Sequence, residues 1–342
     1  MLEQEKNSAK LASFNSIAIP QGIITNGEII DAKKAVAIIK DTIKNPKGKK
    51  ITSRYVVASL PEEKAFIRVI QLPKMKLDEV EKAVAWEAEN NIPMSTEEVY
   101  LDWQVIPPIV NHLDHVDILI IAVPRKLVDQ YVVVLREVGL IPRVLEVESV
   151  AVVRSVVAGE MTEQPLLIID LGQVRTSFIV FSGRTLRFTS SLEISGRTFT
   201  DAIAREFKVD AFRAEELKQK HGLLKKNKEG ESVFDCLIPA LTDLTEQIKN
   251  YLEFYQSHAK HEHLKTSSVP SAISKIILCG GGAALKGIDS FLGLNLKIPV
   301  ETANPWVNIL RPPLREIPEL SYDQSLRYTT ALGLALRGIK KF

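Results

Sequence analysis

Cysteine, histidine and long apolar runs are scarce in this chain of 342 residues. The two cysteines, Cys236 and Cys279, lie far apart and form no CxxC motif, which favours a reducing, cytosolic compartment. No apolar run approaches the ~20 residues that a membrane-spanning helix needs. The sequence shows neither a signal-peptide pattern nor an amphipathic tail, so we expect no direct membrane insertion. The net charge of +2 gives no reason to expect a nucleic acid partner.

Two glycine-bearing turns, far apart in the chain, carry the strongest functional signal. The first contains Asp170 and Gly172 between an apolar run and a strand pattern that begins at Thr176. The second is Gly280–Gly282, directly after another apolar run. Because glycine has no Cβ, backbone N–H groups in such turns can approach phosphates or a nucleobase. A carboxylate such as that of Asp170 can hold the water ligands of Mg²⁺. Together the turns suggest a nucleotide clamp.

The first half of the chain predicts one helix and then a compact α+β unit. Asp31 is a suitable N-cap for a helix over Ala32–Lys44, and a strand is predicted before it at residues 10–19. The following unit has the order β-β-α-β-β-α. Its predicted elements are strands at residues 54–60, 65–72, 99–106 and 116–123, and helices at residues 77–91 and 126–138.

The second half predicts a strand at residues 143–148, a helix from residue 150, and strands on both sides of the first glycine turn. A helix is predicted at residues 200–207, and the charged stretch 209–265 is mostly helical. A strand begins at Lys275, and a C-terminal helix rich in small residues covers residues 326–336.

Each motif also has a plain structural explanation when it is taken alone. Asp170 can simply cap its turn, and Gly280–Gly282 can serve a strand-to-helix turn that needs a positive φ. Glu215 and Lys218 can be a solvated i,i+3 pair on a charged helix.

The histidine and tryptophan residues leave similar alternatives. A metal site at His258, His261 and His263 would need further ligands and a buried shell, so a solvated helix end is the simpler interpretation. Trp86 and Trp103 belong by default to the core of the α+β unit, with a partner-binding face as the alternative.

The order and spacing of several motifs resemble the PilM family, the actin-like proteins of the type IV pilus inner-membrane platform, and more distantly the cell-division protein FtsA. The resemblance covers nearly the whole chain. Asp170-Leu-Gly172 with Thr176 is similar to the family's second phosphate loop, and Glu215 with Lys218 to its adenosine contact. Cys279-Gly-Gly-Gly-Ala-Ala-Leu-Lys-Gly287 is similar to the adenosine loop. The other matching segments are residues 20–31, 145–151, 303–306 and 331–337.

This resemblance implies an α/β fold of the actin-like, two-lobed ATPase type with a small inserted α+β module. The first lobe would comprise residues 1–53 and 141–163, the latter being the return and connecting helix. The inserted module would comprise residues 54–140, and the second lobe residues 164–342 with a helical subdomain at about 200–268.

The resemblance also implies ATP and Mg²⁺ as cofactors. The implied site residues are Asp170 holding Mg²⁺ through water, Gly172 and Thr176 at the phosphates, and Glu215, Lys218, Gly280, Gly281 and Gly282 at the adenosine. No catalytic residue is implied, and the activity would be at most that of a weak ATPase.

The implied function is that of a cytoplasmic scaffold, peripheral to the inner membrane, in a type IV pilus or related secretion machine. Its implied partner is the cytoplasmic N-terminal peptide of a PilN-like bitopic membrane protein, with other pilus platform proteins and secretion ATPases as further partners. The alternatives are an FtsA-like division protein and a sugar kinase or phosphatase on the same fold.

The chain departs from the family pattern at its beginning. The family opens with a strand, an Asp-x-Gly phosphate turn and a second strand, whereas Met1 falls just after the position of that turn. We therefore expect the first N-terminal strand and the first phosphate turn to be absent from this chain, and ATP binding to be weakened.

Overall fold

The computed structural model describes residues 1–4, 9–107, 114–225, 228–258, 272–310 and 318–339. In the first half of the chain the elements are β1 Leu2–Gln4, β2 Ala9–Leu11, β3 Ser13–Phe14, β4 Ile24–Thr25, β5 Glu28–Ile29, α1 Ala32–Lys44, β6 Lys47–Gly48, β7 Tyr55–Leu60, β8 Phe66–Pro73, α2 Leu77–Asn91, β9 Val99–Val105, β10 His115–Pro124, α3 Arg125–Val138, β11 Ile141–Val147 and α4 Glu148–Val156.

In the second half the elements are β12 Thr162–Leu171, β13 Thr176–Gly183, β14 Thr185–Leu192, α5 Gly196–Phe207, α6 Ala211–His221, α7 Lys228–His258, β15 Lys275–Cys279, α8 Ile288–Leu296, β16 Val300–Thr302, α9 Tyr322–Ser325 and α10 Thr329–Ile339. One-turn 3₁₀ helices lie at Glu62–Lys64, Thr96–Glu98, Ala158–Glu160, Gly281–Ala284 and Leu326–Tyr328.

The largest sheet has five strands in the order β14-β13-β12-β15-β16. Its centre is β12, which pairs antiparallel with β13 and parallel with β15. Leu167, Ile168 and Ile179 are completely buried because both faces of these strands are covered. Buried leucine and isoleucine residues of α7 recur at helical spacing and pack into the same core; they are Leu237, Leu241, Leu244 and Ile248.

The α+β unit has a three-stranded antiparallel sheet in the order β8-β10-β9. Helix α2 lies where the sequence predicts it, and it packs Val80, Val84 and Ala88 against this sheet. The spacing of these three residues is four, so they share one helix face. The unit therefore has a small hydrophobic core of its own.

The strand Tyr55–Leu60 is not part of this three-stranded sheet. It pairs in parallel with Ile141–Val147, which follows the unit in the sequence. A parallel pair needs a long crossover connection, and here the crossover contains most of the unit. The proposed division of the chain at residue 54 remains a prediction.

Helices α4 and α10 cross at very short range beside this strand pair. A Cβ on Gly333 of α10 would overlap the backbone carbonyl of Ala151 in α4. Glycine at this position lets the two backbones meet directly. The side chain of Arg154 reinforces the crossing, since it donates to the Gly333 carbonyl oxygen at 3.1 Å.

The predicted strand at residues 10–19 is too long. The chain forms β2 and the short β3, and no strand continues past Phe14. The reason lies in Asn15, whose amide donates to the carbonyl oxygens of Thr42 and Asn45 at 3.0 and 2.9 Å. This side chain satisfies the end of α1 and draws residues 15 and 16 away from a sheet.

Helix α1 begins as predicted, because the Asp31 carboxylate accepts the N–H of Lys34 at 3.0 Å. The C-terminal helix is predicted at residues 326–336 and instead begins with a 3₁₀ turn before α10. Within the described ranges, no helix combines the length and the apolarity that crossing a membrane requires.

Candidate functional site

The sheet places the two glycine turns side by side. Strands β12 and β15 are parallel, and Asp170 stands opposite Cys279 in their register. Their carboxyl ends therefore reach the same edge of the sheet, where ligand sites of open α/β sheets form. The sequence predicts the two turns separately, and the topology brings them together.

Two of the three consecutive glycines are required by the contact between the turns. Gly280 has a φ of +80°, and a Cβ there would overlap Oδ1 of Asp170. A Cβ on Gly282 would lie 2.5 Å from Cγ of Leu171. The predicted need for a positive φ therefore holds at Gly280, whereas at Gly282 close packing against Leu171 accounts for the glycine.

Gly281 is different, because its Cβ position is open. The nearest heavy atom would be Cβ of Arg327 at 3.8 Å, an ordinary contact distance. No packing within the described chain explains a glycine there, so Gly281 is the position where room for a ligand remains.

Asp170 lies among other carboxylates that the sequence analysis missed. Burial, and then the neighbouring Glu62, raise the pKa of Asp170 to about 6. Burial, and then Asp170 and Glu62, raise the pKa of Glu148 to about 8. Burial also raises the pKa of Glu62, although this side chain accepts the N–H of Ser149 at 3.1 Å. Such crowding of negative charge favours a proton or a cation beside Asp170.

The carboxylates were missed for an identifiable reason. Glu62 begins a one-turn 3₁₀ helix and Glu148 begins α4, and both are far from Asp170 in the sequence, so neither forms a motif with it. The one available signal was Glu148 inside the segment that resembles the connecting helix of the PilM family. Among the described residues, no group of three or more His, Cys, Asp or Glu side chains has the arrangement of a metal site.

The first glycine turn is already hydrogen-bonded at two of the predicted phosphate contacts. The N–H of Gly172 donates to the carbonyl oxygen of Arg175 at 3.0 Å. The buried hydroxyl of Thr176 donates to the carbonyl oxygen of Ile194 at 2.6 Å. The N–H groups of Gln173 and Val174 have no hydrogen-bond partner in the described part of the chain, so they are the turn's available donors.

Glu215 and Lys218 form a partly buried pair, in which Lys218 is largely enclosed and Glu215 is 41% exposed. Their charged groups lie 2.7 Å apart, and the Lys218 side chain is only 11% exposed. Thr200 donates to Glu215 at 2.7 Å, and Lys218 donates to the Gly196 carbonyl oxygen at 3.0 Å. Burial opposes ionisation, but hydrogen bonds from Lys218, Thr200 and Gln219 lower the pKa of Glu215.

These contacts join the predicted site residues into one assembly. The N–H of Gly196 donates to the carbonyl oxygen of Gly172 at 2.9 Å, which connects Lys218 to the first turn. At the other end of α6, the N–H of Leu223 donates to the carbonyl oxygen of Lys286 at 2.8 Å. Helix α6 therefore lies between the first glycine turn and the segment that follows the second one.

A polar cleft of about 440 Å³ opens next to this assembly, between the first glycine turn and the Glu62–Lys64 turn. An ion pair of 2.7 Å between Arg175 and Glu63 crosses it. A second ion pair, Arg187 with Asp117 at 2.7 Å, joins β14 to the α+β unit and is mostly buried. These two ion pairs thus connect the five-stranded sheet to the first half of the chain.

The histidine and tryptophan candidates lie outside this assembly. His258 stacks on Phe254 with ring centroids 4.2 Å apart at the end of α7, while His261 and His263 lie outside the described residues. Trp103 packs partly buried in the core of the α+β unit. Trp86 is 64% exposed on α2, so it does not belong to that core.

Comparison with known proteins supports both the fold and a family. The family model described as "Type IV pilus assembly protein PilM" matches residues 1–339. A solved structure described as "PilM-PilN type IV pilus biogenesis complex" is 30% identical, with a TM-score of 0.80, and the match covers 99% of this chain and 95% of that one.

More distant structures confirm the actin-like fold alone. MreB 5 of Spiroplasma citri bound to AMPPNP is 16% identical over 96% of this chain and 88% of its own, with a TM-score of 0.55. EutJ from Carboxydothermus hydrogenoformans is 14% identical over 92% and 77%, with a TM-score of 0.51.

Proposed function

The chain belongs to the PilM family of type IV pilus assembly proteins, and from that we propose that it is a cytoplasmic scaffold of the pilus inner-membrane platform. Its partner in this proposal is the cytoplasmic N-terminal peptide of a PilN-like bitopic membrane protein. The observation that carries the proposal is the 30% identity, over nearly the whole length of both chains, to a protein solved as a PilM-PilN complex.

A scaffold of this kind is recruited to the membrane through its partners. The groove proposed for the peptide lies between the first lobe and the inserted α+β module. Binding of an extended peptide combines backbone hydrogen bonds with pockets for alternate side chains. Trp86 is an exposed aromatic residue of the module, and aromatic residues of this type often dominate binding energy.

ATP with Mg²⁺ is proposed as a ligand that biases lobe closure, with hydrolysis slow or absent. The carboxyl groups of Asp170, Glu148 and Glu62 interact electrostatically, so a divalent cation near them would be favoured. Among the described residues they do not form a direct metal-ligating group, which fits a cation held through water. The cation would neutralise these groups and the phosphates. Asp170 would hold it through water, the usual manner for Mg²⁺.

The chain's own residues would then position the nucleotide. The open position at Gly281, with Gly280 and Gly282 beside it, accommodates the adenosine, and Glu215 with Lys218 borders it through α6. The turn from Gly172 to Thr176 would face the phosphates.

Peptide binding is the test of the scaffold. A fluorescent peptide, copied from the cytoplasmic N-terminal end of a PilN-like protein from the same organism, should bind with micromolar or better affinity by anisotropy. A scrambled peptide of equal composition is the control. If the native peptide shows no binding at any accessible concentration, with or without ATP and Mg²⁺, the scaffold proposal is wrong.

The nucleotide part has a separate measurement. Asp170→Ala should abolish the Mg²⁺-dependent binding of a fluorescent ATP analogue while the circular dichroism spectrum is retained. The peptide should still bind this variant, with a changed affinity only if lobe closure is coupled to the groove. Unchanged nucleotide binding by Asp170→Ala would contradict the assigned cation position.

A further inference from the structure

The segment from Lys33 to Arg54 concentrates positive charge on one part of the molecule. It comprises most of α1 and the chain that leads from α1 to β7. It holds eight lysine or arginine residues and one acidic residue, Asp41, and so carries +7, whereas the whole chain carries +2. The rest of the chain is therefore net negative. Charge gathered in this way produces a local positive potential on a protein that is almost neutral overall.

Four of these cations line one groove without an anion to balance them. The groove measures about 360 Å³ and lies between α1 and the end of α3, in the place proposed above for the partner peptide. Its described lining contains no acidic residue, and its cations are Lys40, Lys44, Lys50 and Arg54. Within the part of the chain that the structure describes, none of the four forms an ion pair or a side-chain hydrogen bond. The dipole at the end of α1 favours Lys44, but it does not account for Lys50 and Arg54, which lie outside the helix.

The positive charge continues along α1 beyond the groove. Lys33, Lys40 and Lys44 are all exposed, and their spacings of seven and four residues place them on one face of the helix. At a rise of about 1.5 Å per residue, this row of cations is about 16 Å long. Cations therefore remain on the surface when a peptide occupies the groove.

Exposed apolar side chains border the cations. Tyr55 follows Arg54 directly and is 58% exposed, and Ile141, which stands opposite it in the register of β7 and β11, is 46% exposed. Residues directly opposite each other in a strand pair point to the same side of the sheet. The guanidinium carbon of Arg143 lies 4.2 Å from the centre of the Tyr55 ring. An exposed tyrosine among basic side chains is typical of the interface between a membrane and water.

We propose that this basic face, made up of residues 33–54 with Tyr55 and Ile141, contacts the anionic phospholipid surface of the membrane. The cations would lie near the lipid phosphates, and the two exposed apolar side chains would lie at the depth of the headgroups. Clusters of four to eight basic residues bind anionic bilayers in this manner. A nucleic acid shares the negative charge, but only a bilayer offers an apolar layer to an aliphatic side chain such as Ile141.

The position of the basic face deepens the proposed function and rests on it. A peptide that is continuous with a membrane-spanning segment reaches its groove from the side of the bilayer, and the rim of that groove belongs to the basic face. Peptide and bilayer would then act as two linked attachments, because the first one makes the second intramolecular. Binding of the chain alone to a bilayer is expected to be weak and sensitive to salt.

The probe is a suspension of phosphatidylcholine vesicles with about 30% phosphatidylglycerol, used without any peptide; vesicles of phosphatidylcholine alone are the comparison. The full chain should sediment with the anionic vesicles about tenfold more strongly than with the neutral ones in about 0.1 M salt. This binding should be lost in about 1 M salt, because the screening length falls from about 10 Å to about 3 Å. Tyr55→Ser should weaken the binding about threefold at the lower salt concentration, since it removes an interfacial side chain.

The double variant Lys40→Glu plus Arg54→Glu should reduce binding to the anionic vesicles about tenfold or more, because it reverses two charges of the basic face. The matched control is Lys249→Glu plus Arg205→Glu, which makes the same change in net charge at exposed positions on α7 and α5. This control should bind within about threefold of the parent, because salt screens charges outside the contact. Melting temperatures of both double variants should match the parent, since all four positions are exposed.

Three results would overturn the proposal. The parent shows no preference for anionic vesicles at the lower salt concentration, or both double variants lose binding equally, which would reveal an effect of net charge alone. The third is that a DNA duplex binds the parent while the vesicles do not, which would identify a nucleic acid surface. The peptide assay in solution is separate: binding to vesicles without binding of the PilN-like peptide would contradict the scaffold, and the reverse would contradict the basic face.

Discussion

Replacing Gly280 by alanine should destabilise the protein far more than replacing its neighbour Gly281. Gly280 has a φ of +80°, and a left-handed backbone costs a residue with a Cβ ~1–2 kcal/mol. The new methyl group would also overlap Asp170 and lie 2.7 Å from the carbonyl oxygen of Leu171. Backbone at this distance cannot move aside freely, and overpacking adds ~1–3 kcal/mol. The expected loss for Gly280→Ala is therefore about 2–5 kcal/mol.

Gly281→Ala is the matched control, since it adds the same methyl group one residue later. Its Cβ meets nothing closer than 3.8 Å, so we expect a change within about 0.5 kcal/mol. Guanidinium unfolding followed by circular dichroism measures both variants, and the midpoint should shift for Gly280→Ala with little change in slope.

The same pair separates stability from ligand binding. Gly281→Val should remain folded yet lose the fluorescent ATP analogue, because its side chain would fill the space left open beside the turn. Equal unfolding midpoints for Gly280→Ala and Gly281→Ala would refute the packing explanation. A Gly281→Val protein that is folded and binds the analogue as tightly as the parent would refute the ligand position.

Two further predictions concern charges near the cleft. The pKa of Glu148 is raised from 4.5 to about 8, so stability is lost as pH rises between these values; Glu148→Gln should therefore stabilise by under ~1 kcal/mol at pH 4.5 and by at most ~5 kcal/mol above pH 8. Equal stabilisation at both pH values in urea unfolding would contradict this sign. Breaking the buried Arg187 and Asp117 pair by one alanine should cost ~3–5 kcal/mol, with strong coupling in a double-mutant cycle, whereas Lys275→Ala at an exposed pair should cost under ~1 kcal/mol. Additive single losses would show that the two side chains act independently.

Local signals in the sequence predict local structure well. Helix α1 begins after Asp31 and α2 covers Leu77–Asn91 as predicted, because capping and apolar periodicity are set within one or two turns. The partner of Tyr55–Leu60 was not predictable in the same way. Its pairing with Ile141–Val147 depends on packing between segments about eighty residues apart, and periodicity does not encode register.

The strand at residues 10–19 failed for a related reason. Its apolar pattern is compatible with a strand. The side-chain amide of Asn15, however, donates hydrogen bonds to carbonyl oxygens at the end of α1. A tertiary hydrogen bond of this kind overrides the weak intrinsic preference of a few residues. The strand prediction therefore failed because residue 15 is held by the end of α1, about thirty residues later in the chain.

Among the site residues, too, those with a local signal were predicted and those that depend on the fold were missed. Glycine-rich turns can be predicted from a sequence because a glycine often indicates a positive φ or a close contact at its own position, as at Gly280. The sequence around Glu62 and Glu148 does not indicate that they are buried, since glutamates are common on surfaces and at helix starts. Only the fold removes them from water and places them beside Asp170, and their raised pKa values are the consequence.

The Glu215 and Lys218 pair was predicted from its position in the sequence and not from its own chemistry. At a spacing of three on a charged helix, the pair is chemically indistinguishable from many solvated pairs. Its position between the two glycine motifs is what singles it out, and the structure supplies the physical basis. The largely buried Lys218 ammonium donates to the Gly196 carbonyl oxygen, and the N–H of Gly196 in turn donates to the carbonyl oxygen of Gly172. Loss of the Lys218 charge would therefore disturb the first glycine turn even without a ligand.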